Sequence, residues 1–296
     1  MVMPSPRVRR VWKPWTLTID MVEFAIILSV LAVILSVLVV LYFLALRCRS
    51  GHKGLQALKG WHYAHRGLHG NSVPENSMAA FRLALENGYG IEFDVHLMAD
   101  GELAVIHDAS LKRTAGEDVR IEDLTKADLD RYQLEGTDEK IPLFLDVLKL
   151  YDGKAPLIIE LKCERNNYAA LSLAVCDALK GYHGTYCLES FDPRVVNWLK
   201  NNRPDMIRGQ LTENFLKSPT AAMPWILKFL LTTQLMNFLT LPDFIAYKSA
   251  DRKRLGNFVC RRIWGAAGVT WTVKSQEELD SVKKEDWIPI FEGFRP

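Results

Sequence analysis

Ile91-Glu92-Phe93-Asp94-Val95-His96-Leu97-Met98-Ala99-Asp100-Gly101-Glu102-Leu103-Ala104-Val105-Ile106-His107-Asp108 is the stretch whose reading decides the fold. It contains two apolar runs, 91–96 and 102–107, separated by Ala99-Asp100-Gly101. That separator is a hairpin-turn signal. A parallel neighbour needs a crossover of about a dozen residues or more. The second run is therefore expected to fold back antiparallel on the first. Glu92 and Asp94 sit two apart in the first run, so both point to one face of the strand. Two carboxylates buried side by side without a partner cost several kcal/mol or so. A divalent cation removes that cost. Upstream, His65-Arg66-Gly67 and Pro74-Glu75-Asn76-Ser77 surround a turn. Downstream, Leu157-Ile158-Ile159-Glu160-Leu161-Lys162 again puts a carboxylate and a cation on one face of an apolar strand.

Working outward, apolar runs alternate with helical patterns from Trp61 to the C-terminus. Strands are expected near 61–65, 91–96, 102–107, 157–161, 185–189, 206–210, 243–247, 267–272 and 287–291. Helical patterns lie near 77–87, 121–132, 143–151, 168–180, 193–201, 224–239, 251–262 and 275–284. With 102–107 set aside as a hairpin arm, eight strands remain, each separated by helical sequence. That pattern predicts an α/β (β/α)8 TIM barrel over residues 61–296. The alternative, a doubly wound open sheet, lacks a Gly-rich phosphate loop after its first strand. His65, Glu92, Asp94, Glu160, Gln210 and Trp271 all fall at or near C-terminal strand ends, where such barrels build their sites. His107 reaches that face on the hairpin. Gln210 is read as a substrate contact, with a satisfied core amide as the alternative. Trp271 could equally be barrel packing. Glu102 and Glu122 read as surface charges.

Residues 24–46 run 23 residues without a charge, and Ser29 and Ser36 carry the only hydroxyls apart from Tyr42. At 1.5 Å per residue a helix of this length spans roughly 34 Å, enough to cross a bilayer. A cleaved signal would have an apolar region of about 7–15 residues and a small-residue cleavage site. Ala45-Leu46-Arg47-Cys48 offers none. The expected organisation is a basic tail at 1–23, a transmembrane helix at 24–46, a polar linker at 47–60 and the barrel. Trp12, Trp15 and Tyr42 suit interfacial anchors. Arg7, Arg9, Arg10 and Lys13 precede the span, and Arg47, Arg49, Lys53 and Lys59 follow it, so the positive-inside rule gives a tie. Five cysteines without metal or disulfide spacing fit a reducing compartment, which places the barrel on the cytoplasmic side. The net charge is only +2, so nothing points to a nucleic-acid partner, and none is expected. The apolar segment 223–241 reads as a barrel helix, or as a lip near the site whose start, Met223-Pro224-Trp225-Ile226, touches the bilayer.

With these residues assembled, the sequence resembles the glycerophosphodiester phosphodiesterase family over about residues 61–296. His65-Arg66-Gly67, Pro74-Glu75-Asn76-Ser77, Ile91-Glu92-Phe93-Asp94-Val95, Asp100-Gly101 and His107-Asp108 occur in the family's order. Glu160-Leu161-Lys162, Ser190-Phe191-Asp192 and Trp271-Thr272-Val273 continue it. The resemblance implies Glu92, Asp94 and Glu160 as ligands of one divalent cation, Mg²⁺ or Ca²⁺. It implies His65 and His107 as catalytic residues, Arg66 and Lys162 on the phosphate, and Trp271 beside the alcohol group. The implied reaction hydrolyses a glycerophosphodiester to glycerol 3-phosphate and an alcohol. The runner-up is a lysophospholipase-D-type activity on single-chain lipids, and a third reading is an inactive phosphodiester-binding module. Ser77, Leu97-Met98, Glu189, Lys274 and the ending Phe291-Glu292-Gly293-Phe294-Arg295-Pro296 depart from the family pattern. They leave the alcohol open. Membrane lipid is the one further expected partner; the sequence identifies no protein partner.

Overall fold

The computed structural model describes residues 20–218 and 223–296. The flanking residues Arg7, Arg9, Arg10, Lys13, Trp12 and Trp15 lie outside the described residues, as do 219–222. Nine strands run in chain order: β1 (Tyr63–His65), β2 (Gly90–Leu97), β3 (Leu103–Val105), β4 (Leu157–Leu161), β5 (Tyr186–Ser190), β6 (Arg208–Thr212), β7 (Phe244–Lys248), β8 (Ala267–Val273) and β9 (Trp287–Phe291). β1 pairs in parallel with both β2 and β9, β2 pairs in parallel with β4, and the remaining parallel pairs run in sequence from β4 to β9. The eight parallel strands close a TIM barrel. β3 pairs antiparallel with β2, Val95 opposite Val105, and stays outside the closed ring. The hairpin expectation at Ala99-Asp100-Gly101 is met; Gly101 N donates to Met98 O at 3.2 Å.

The strands are buried on both faces, so they read as continuous apolar runs rather than alternating ones. In β4 all five residues are buried, and Glu160 is the single charged one. The helices follow the 3.6 period where the sequence has clean boundaries. Ser77 caps the helix Met78–Glu86, its hydroxyl accepting from Ala80 N, and Asp192 with Pro193 starts Pro193–Asn202.

Three expected helices come out broken. Residues 121–132 form two 3-10 turns, Ile121–Asp123 and Lys126–Arg131, because Leu124 and Thr125 turn extended and Thr125 makes a capping box with Asp128. Their apolar side chains, Ile121 and Leu129, pack in a small core with Met98, Ile106, Leu111 and Ile141. Residues 224–239 split into Trp225–Thr232 and Asn237–Thr240 at Gln234, whose φ is 61°. Residues 251–262 become Leu255–Phe258 followed by a π-turn, Val259–Ile263. Glu122 is not a surface charge. It is largely buried, 2.8 Å from Nδ1 of the buried His96, and paired with Arg120.

The stretch 47–60 is folded rather than linker-like. Leu55 and Leu58 enter the barrel core beside Tyr63, Phe244 and Ile288, and Tyr63 Oη donates to Leu58 O at 2.9 Å. Leu46 and Cys48 are also buried. The guanidinium of Arg49 grips the carboxylate of Asp243 and bonds Met206 O at 3.1 Å. Asp243 and Met206 precede β7 and β6, so this stretch covers the N-terminal end of the barrel.

The first helix, α1, spans Met21–Ala45 and its 25 residues are long and apolar enough to cross a membrane. The hydroxyls of Ser29 and Ser36 donate to Ala25 O and Ala32 O, both at 2.8 Å, so neither needs an outside partner.

Candidate active site

β1 ends at His65, and the chain then turns through two left-handed residues, Arg66 (φ 53°) and Gly67 (φ 81°). A Cβ on Gly67 would meet the Cβ of Ala80 at 2.8 Å, so the turn needs glycine both for its conformation and for the close approach. The turn brings Arg66 N to 3.3 Å from Glu92 Oε2 and Arg66 Nε to 3.5 Å from Asp94 Oδ2. Asn76, also left-handed (φ 51°), donates its backbone N–H to Arg66 O at 2.9 Å and its side-chain amide to Asp94 Oδ2 at 2.8 Å. Glu75 takes one hydrogen bond from Arg66 Nη1 at 2.9 Å and one from Arg113 Nη2 at 2.6 Å. The segment Pro74–Ser77 thus starts a helix and also holds the site's charges.

Register assembles the acidic group. Asp94 on β2 lies opposite Glu160 on β4, and Glu160 lies opposite Glu189 on β5. Glu92, Asp94 and Glu160 are buried, each offering a carboxylate oxygen within 4.8 Å of the others. Lys162 Nζ bridges Asp94 Oδ1 at 2.9 Å and Glu160 Oε1 at 2.8 Å. Glu189 is buried too, and its Oε2 has no hydrogen-bond partner. Four buried carboxylates therefore face two cations, Arg66 and Lys162. With all four ionised, two negative charges remain uncompensated, the charge of one divalent cation.

The proton affinities report the same deficit. Burial, then the charges of Asp94, Glu160 and Glu189, push Glu92 well above the ordinary carboxylate range. Burial pushes Glu160 up to about 7 against the pull of Lys162. Burial and Glu160 push Glu189 up. Asp94 goes the other way: burial opposes it, but Lys162, His107, Arg66 and the Asn76 amide together hold it ionised. Glu92, Asp94 and Glu160 supply hard oxygen donors that suit Mg²⁺ or Ca²⁺. The donor set and the charge deficit both fit such an ion.

The two histidines each turn Nδ1 toward a carboxylate, but only His107 is hydrogen-bonded there. His107 Nδ1 lies 2.5 Å from Asp108 Oδ1, and Arg113 Nε lies 2.5 Å from Asp108 Oδ2, so a charged pair orients this ring. Burial pulls His107 down to about 4, with Lys162 and Arg66 adding to the fall and Asp94 resisting it. His65 Nε2 lies 3.9 Å from Glu92 Oε2, while Nδ1 lies 3.4 Å from Glu292 Oε2 without the alignment of a hydrogen bond. Burial lowers His65 as well.

Across the barrel mouth stands an aromatic wall. The rings of Phe191 and Trp271 meet edge to face at 5.6 Å, and Phe215 meets Phe191 edge to face at 6.0 Å. Lys248 Nζ sits 5.9 Å from the Trp271 ring. Gln210 is buried, with Nε2 bonded to Ser190 O at 3.1 Å and also directed at Phe191 O and Leu211 O. Its amide ties the ends of β5 and β6, and only Oε1 is left without a partner.

His65, Arg66, Glu92, Asp94, His107, Glu160 and Lys162 are brought together. Trp271 and Gln210 stand on the opposite strands. Sequence reasoning missed Glu189, Arg113 and Glu292 as parts of this region. Glu189 carried one usable signal, a lone carboxylate at the end of an apolar strand. Glu292 carried none, because only ring closure sets it beside His65.

Comparison with known proteins bears on this geometry. A family model described as the glycerophosphoryl diester phosphodiesterase family matches residues 65–290. A glycerophosphodiester phosphodiesterase of Bacillus altitudinis is 41% identical over 113 residues, 36% of this chain and 46% of that protein. Lysophospholipase D GDPD1 of Rattus norvegicus is 36% identical over 118 residues, 36% of this chain and 37% of that protein. A glycerophosphodiester phosphodiesterase of Caldanaerobacter subterraneus subsp. tengcongensis is 34% identical over 166 residues, 53% of this chain and 68% of that protein. The chain thus spans about half the length of the curated relatives it matches. Among solved structures, an Oleispira antarctica phosphodiesterase in complex with the product sn-glycerol-3-phosphate superposes with a TM-score of 0.66 at 21% identity, over 82% of this chain and 95% of that one. A glycerophosphodiester phosphodiesterase from Thermotoga maritima gives 0.60 at 25% identity, over 78% and 93%. At these identities the superpositions speak for the fold.

Proposed function

We propose a function from one premise: this chain belongs to the glycerophosphoryl diester phosphodiesterase family. It hydrolyses a glycerophosphodiester, adding water across one P–O bond to release glycerol 3-phosphate and an alcohol. The observation that carries this reading is the buried carboxylate group, two positive charges short, flanked by two histidines: His107, bonded at Nδ1 to Asp108, and His65, whose Nδ1 faces Glu292. Glu92, Asp94 and Glu160 would hold one divalent cation, Mg²⁺ or Ca²⁺. When bound, that ion supplies positive charge for the non-bridging phosphate oxygens.

The remaining steps belong to the chain's own groups. Arg66, braced by Glu75, can grip two phosphate oxygens at once, and Lys162 adds a point charge. His65 and His107 divide the proton work. One Nε2 accepts a proton from the attacking nucleophile and the other donates one to the leaving oxygen. The Asp108–Arg113 pair keeps the His107 ring oriented through both steps. Trp271 and Phe191 form a dry wall for the alcohol part, and Gln210 holds the strand ends beneath them. Helix α1 serves as an uncleaved, single-pass membrane anchor. The five cysteines are free and four of them are buried, which supports a barrel on the reducing, cytoplasmic side.

A second substrate class has a specific observation in its favour. Trp225, Ile226 and Phe229 are exposed on the helix that follows β6, and the loop before that helix starts from the catalytic end of the barrel. An apolar surface there suits the acyl chain of a lysophospholipid, the substrate class in the name of one relative. The test is a panel of glycerophosphodiesters and lysophospholipids assayed with Mg²⁺, with Ca²⁺ and with excess chelator. Release of glycerol 3-phosphate from the diesters, or of acylglycerol 3-phosphate from the lysophospholipids, that chelator abolishes and either ion restores is the expected result. Trp225→Ser is expected to lose turnover of lysophospholipids in vesicles more than turnover of soluble diesters. Full activity in excess chelator overturns the metal-dependent reading, and binding of every substrate without turnover leaves a phosphodiester-binding module.

A further inference from the structure

A second cluster of metal-ligating side chains stands at the seam where β1 meets β9. His65 ends β1, His69 follows it across the Gly67 turn, and Glu292 is the first residue after β9. Ala64 and Phe291 are register partners, so barrel closure itself sets Glu292 against the His65 turn. His65 Nδ1 lies 3.4 Å from Glu292 Oε2, and His69 Nε2 lies 3.6 Å from Glu292 Oε1. Donor atoms from all three residues lie within 4.8 Å of one another. Both imidazole nitrogens are buried, and neither has a hydrogen-bond partner. The turn that carries them is tied down by Leu68 N to Ala80 O at 3.0 Å and His69 N to Gly67 O at 3.0 Å.

We propose that His65 Nδ1, His69 Nε2 and Glu292 form a zinc site, separate from the oxygen-donor group of Glu92, Asp94 and Glu160. The donor chemistry selects the metal. Two imidazoles and one carboxylate are a set zinc takes readily, whereas Mg²⁺ and Ca²⁺ prefer oxygen alone. The spacing agrees. With bonds of about 2.0–2.1 Å, neighbouring donors on a tetrahedral zinc stand about 3.3–3.4 Å apart. Each imidazole nitrogen stands within a few tenths of an ångström of that distance from one Glu292 oxygen, His65 from Oε2 and His69 from Oε1, so a turn of the carboxylate presents it to both rings. The nearest competing cation is Lys274, whose Nζ is 3.9 Å from Glu292 Oε2; its side chain is mostly exposed and can swing away.

The consequence is inhibition by zinc. His65 Nε2 faces Glu92 and the acidic group, while Nδ1 faces the zinc site. A neutral imidazole with metal on Nδ1 carries its only proton on Nε2, so it can no longer accept one there. Zinc at the seam therefore takes His65 out of the proton cycle without touching the Mg²⁺ or Ca²⁺ ligands. The inhibition rests on the proposed hydrolysis; the binding does not.

The experiment uses the full chain in detergent and zinc chloride, in an Asp94→Asn background that weakens the oxygen-donor site, with Glu92→Gln as a second background. Competition against a chromophoric chelator is expected to show one zinc per chain, with only nitrogen and oxygen neighbours by X-ray absorption. His69→Asn in the same background is expected to weaken binding at least about 10-fold, since even outer partners of zinc ligands are worth that much. In the otherwise wild-type chain assayed with Mg²⁺, the same substitution shifts half-inhibition by zinc upward by a similar factor. Zinc bound as described in a chain that hydrolyses no substrate would uphold the site and overturn the hydrolase reading alone. Absence of zinc binding, sulfur in the coordination shell, or binding and inhibition that ignore His69→Asn each overturn the proposal.

Discussion

The two ends of the barrel are built from the same strands and obey different rules. At the N-terminal end, the buried carboxylate Asp243 is paired and both its oxygens are bonded. Arg49 grips both oxygens of Asp243 and bonds Pro204 O and Met206 O, while Asp243 Oδ2 also accepts from Arg208 N at 2.9 Å. Leu55 and Leu58 complete the apolar plug. At the C-terminal end, four carboxylates crowd two cations, three carboxylates hold protons more tightly than usual, and Arg66 and Asn76 sit in left-handed conformations. Such conformations cost of order 1–3 kcal/mol each for residues other than glycine. One end contributes stability, and the other stores strained backbone geometry and unfavourable charge, which a bound cation would offset.

The contrast breaks most visibly at the histidines. His65→Ala and His107→Ala should each lower kcat by about 10²–10⁴-fold, the usual range for acid–base groups, with a much smaller change in KM. Steady-state kinetics on a soluble diester checks this, and a double variant that turns over at the parental rate would end the two-histidine mechanism. Neither change should lower thermal stability appreciably.

At the other end the expected effect moves from rate to stability. Asp243→Ala strands Arg49 and removes the acceptor for Arg208 N. The loss should be about 3 kcal/mol, the low end for breaking a buried pair, because Arg49 is about a quarter exposed. Denaturant unfolding measures it. The turnover number at temperatures well below melting should stay unchanged, and a large fall in kcat there would show that the two ends are coupled.

The smallest effect sharpens the comparison through pH. Glu160 has a folded-state pKa raised to about 7, so the folded chain holds a proton that the unfolded chain releases from about 4.5 upward. Stability from this group is present below 4.5 and is lost as pH rises through 7. His107, lowered to about 4, acts oppositely: its contribution is lost as pH falls below 6.5. Between pH 6.5 and 8 the lowered histidines have little left to add, while the raised carboxylates Glu92, Glu160 and Glu189 are still losing folded-state protons. In chelator the melting temperature should therefore fall across that window, and Mg²⁺ or Ca²⁺ should flatten the fall by taking the proton's place. Melting curves at the two pH values, with and without the ion, decide it; a chelated chain that gains stability from 6.5 to 8 would contradict the carboxylate account.

Much of this molecule was legible in its local sequence. Apolar runs with turn signals located all nine strands, and the Asp100-Gly101 turn alone separated the hairpin arm β3 from the barrel. Glu92, Asp94 and Glu160 announced themselves as charges inside otherwise apolar strands. Helices with clear caps, such as Met78–Glu86, were placed well, while 121–132, 224–239 and 251–262 were too regular in expectation. There, side-chain contacts override the period: Thr125 with Asp128, and the buried amides of Gln234 and Asn257, bend the chain where apolar spacing alone would continue it.

What the amino-acid order determined by itself was whatever depends on neighbours a few residues apart: strand, turn, cap and the pairing of charges on one strand face. Tertiary structure alone decided the rest. Register across β2, β4 and β5 added Glu189 to the acidic group. Packing turned 47–60 from a polar segment into the barrel's floor, through an Arg49–Asp243 pair separated by 194 positions. Ring closure set Glu292 beside His65 and His69, across more than two hundred residues of intervening chain. Such contacts leave no local pattern, because a charge at the end of a strand looks the same whether its partner is solvent or a residue delivered by the far end of the chain.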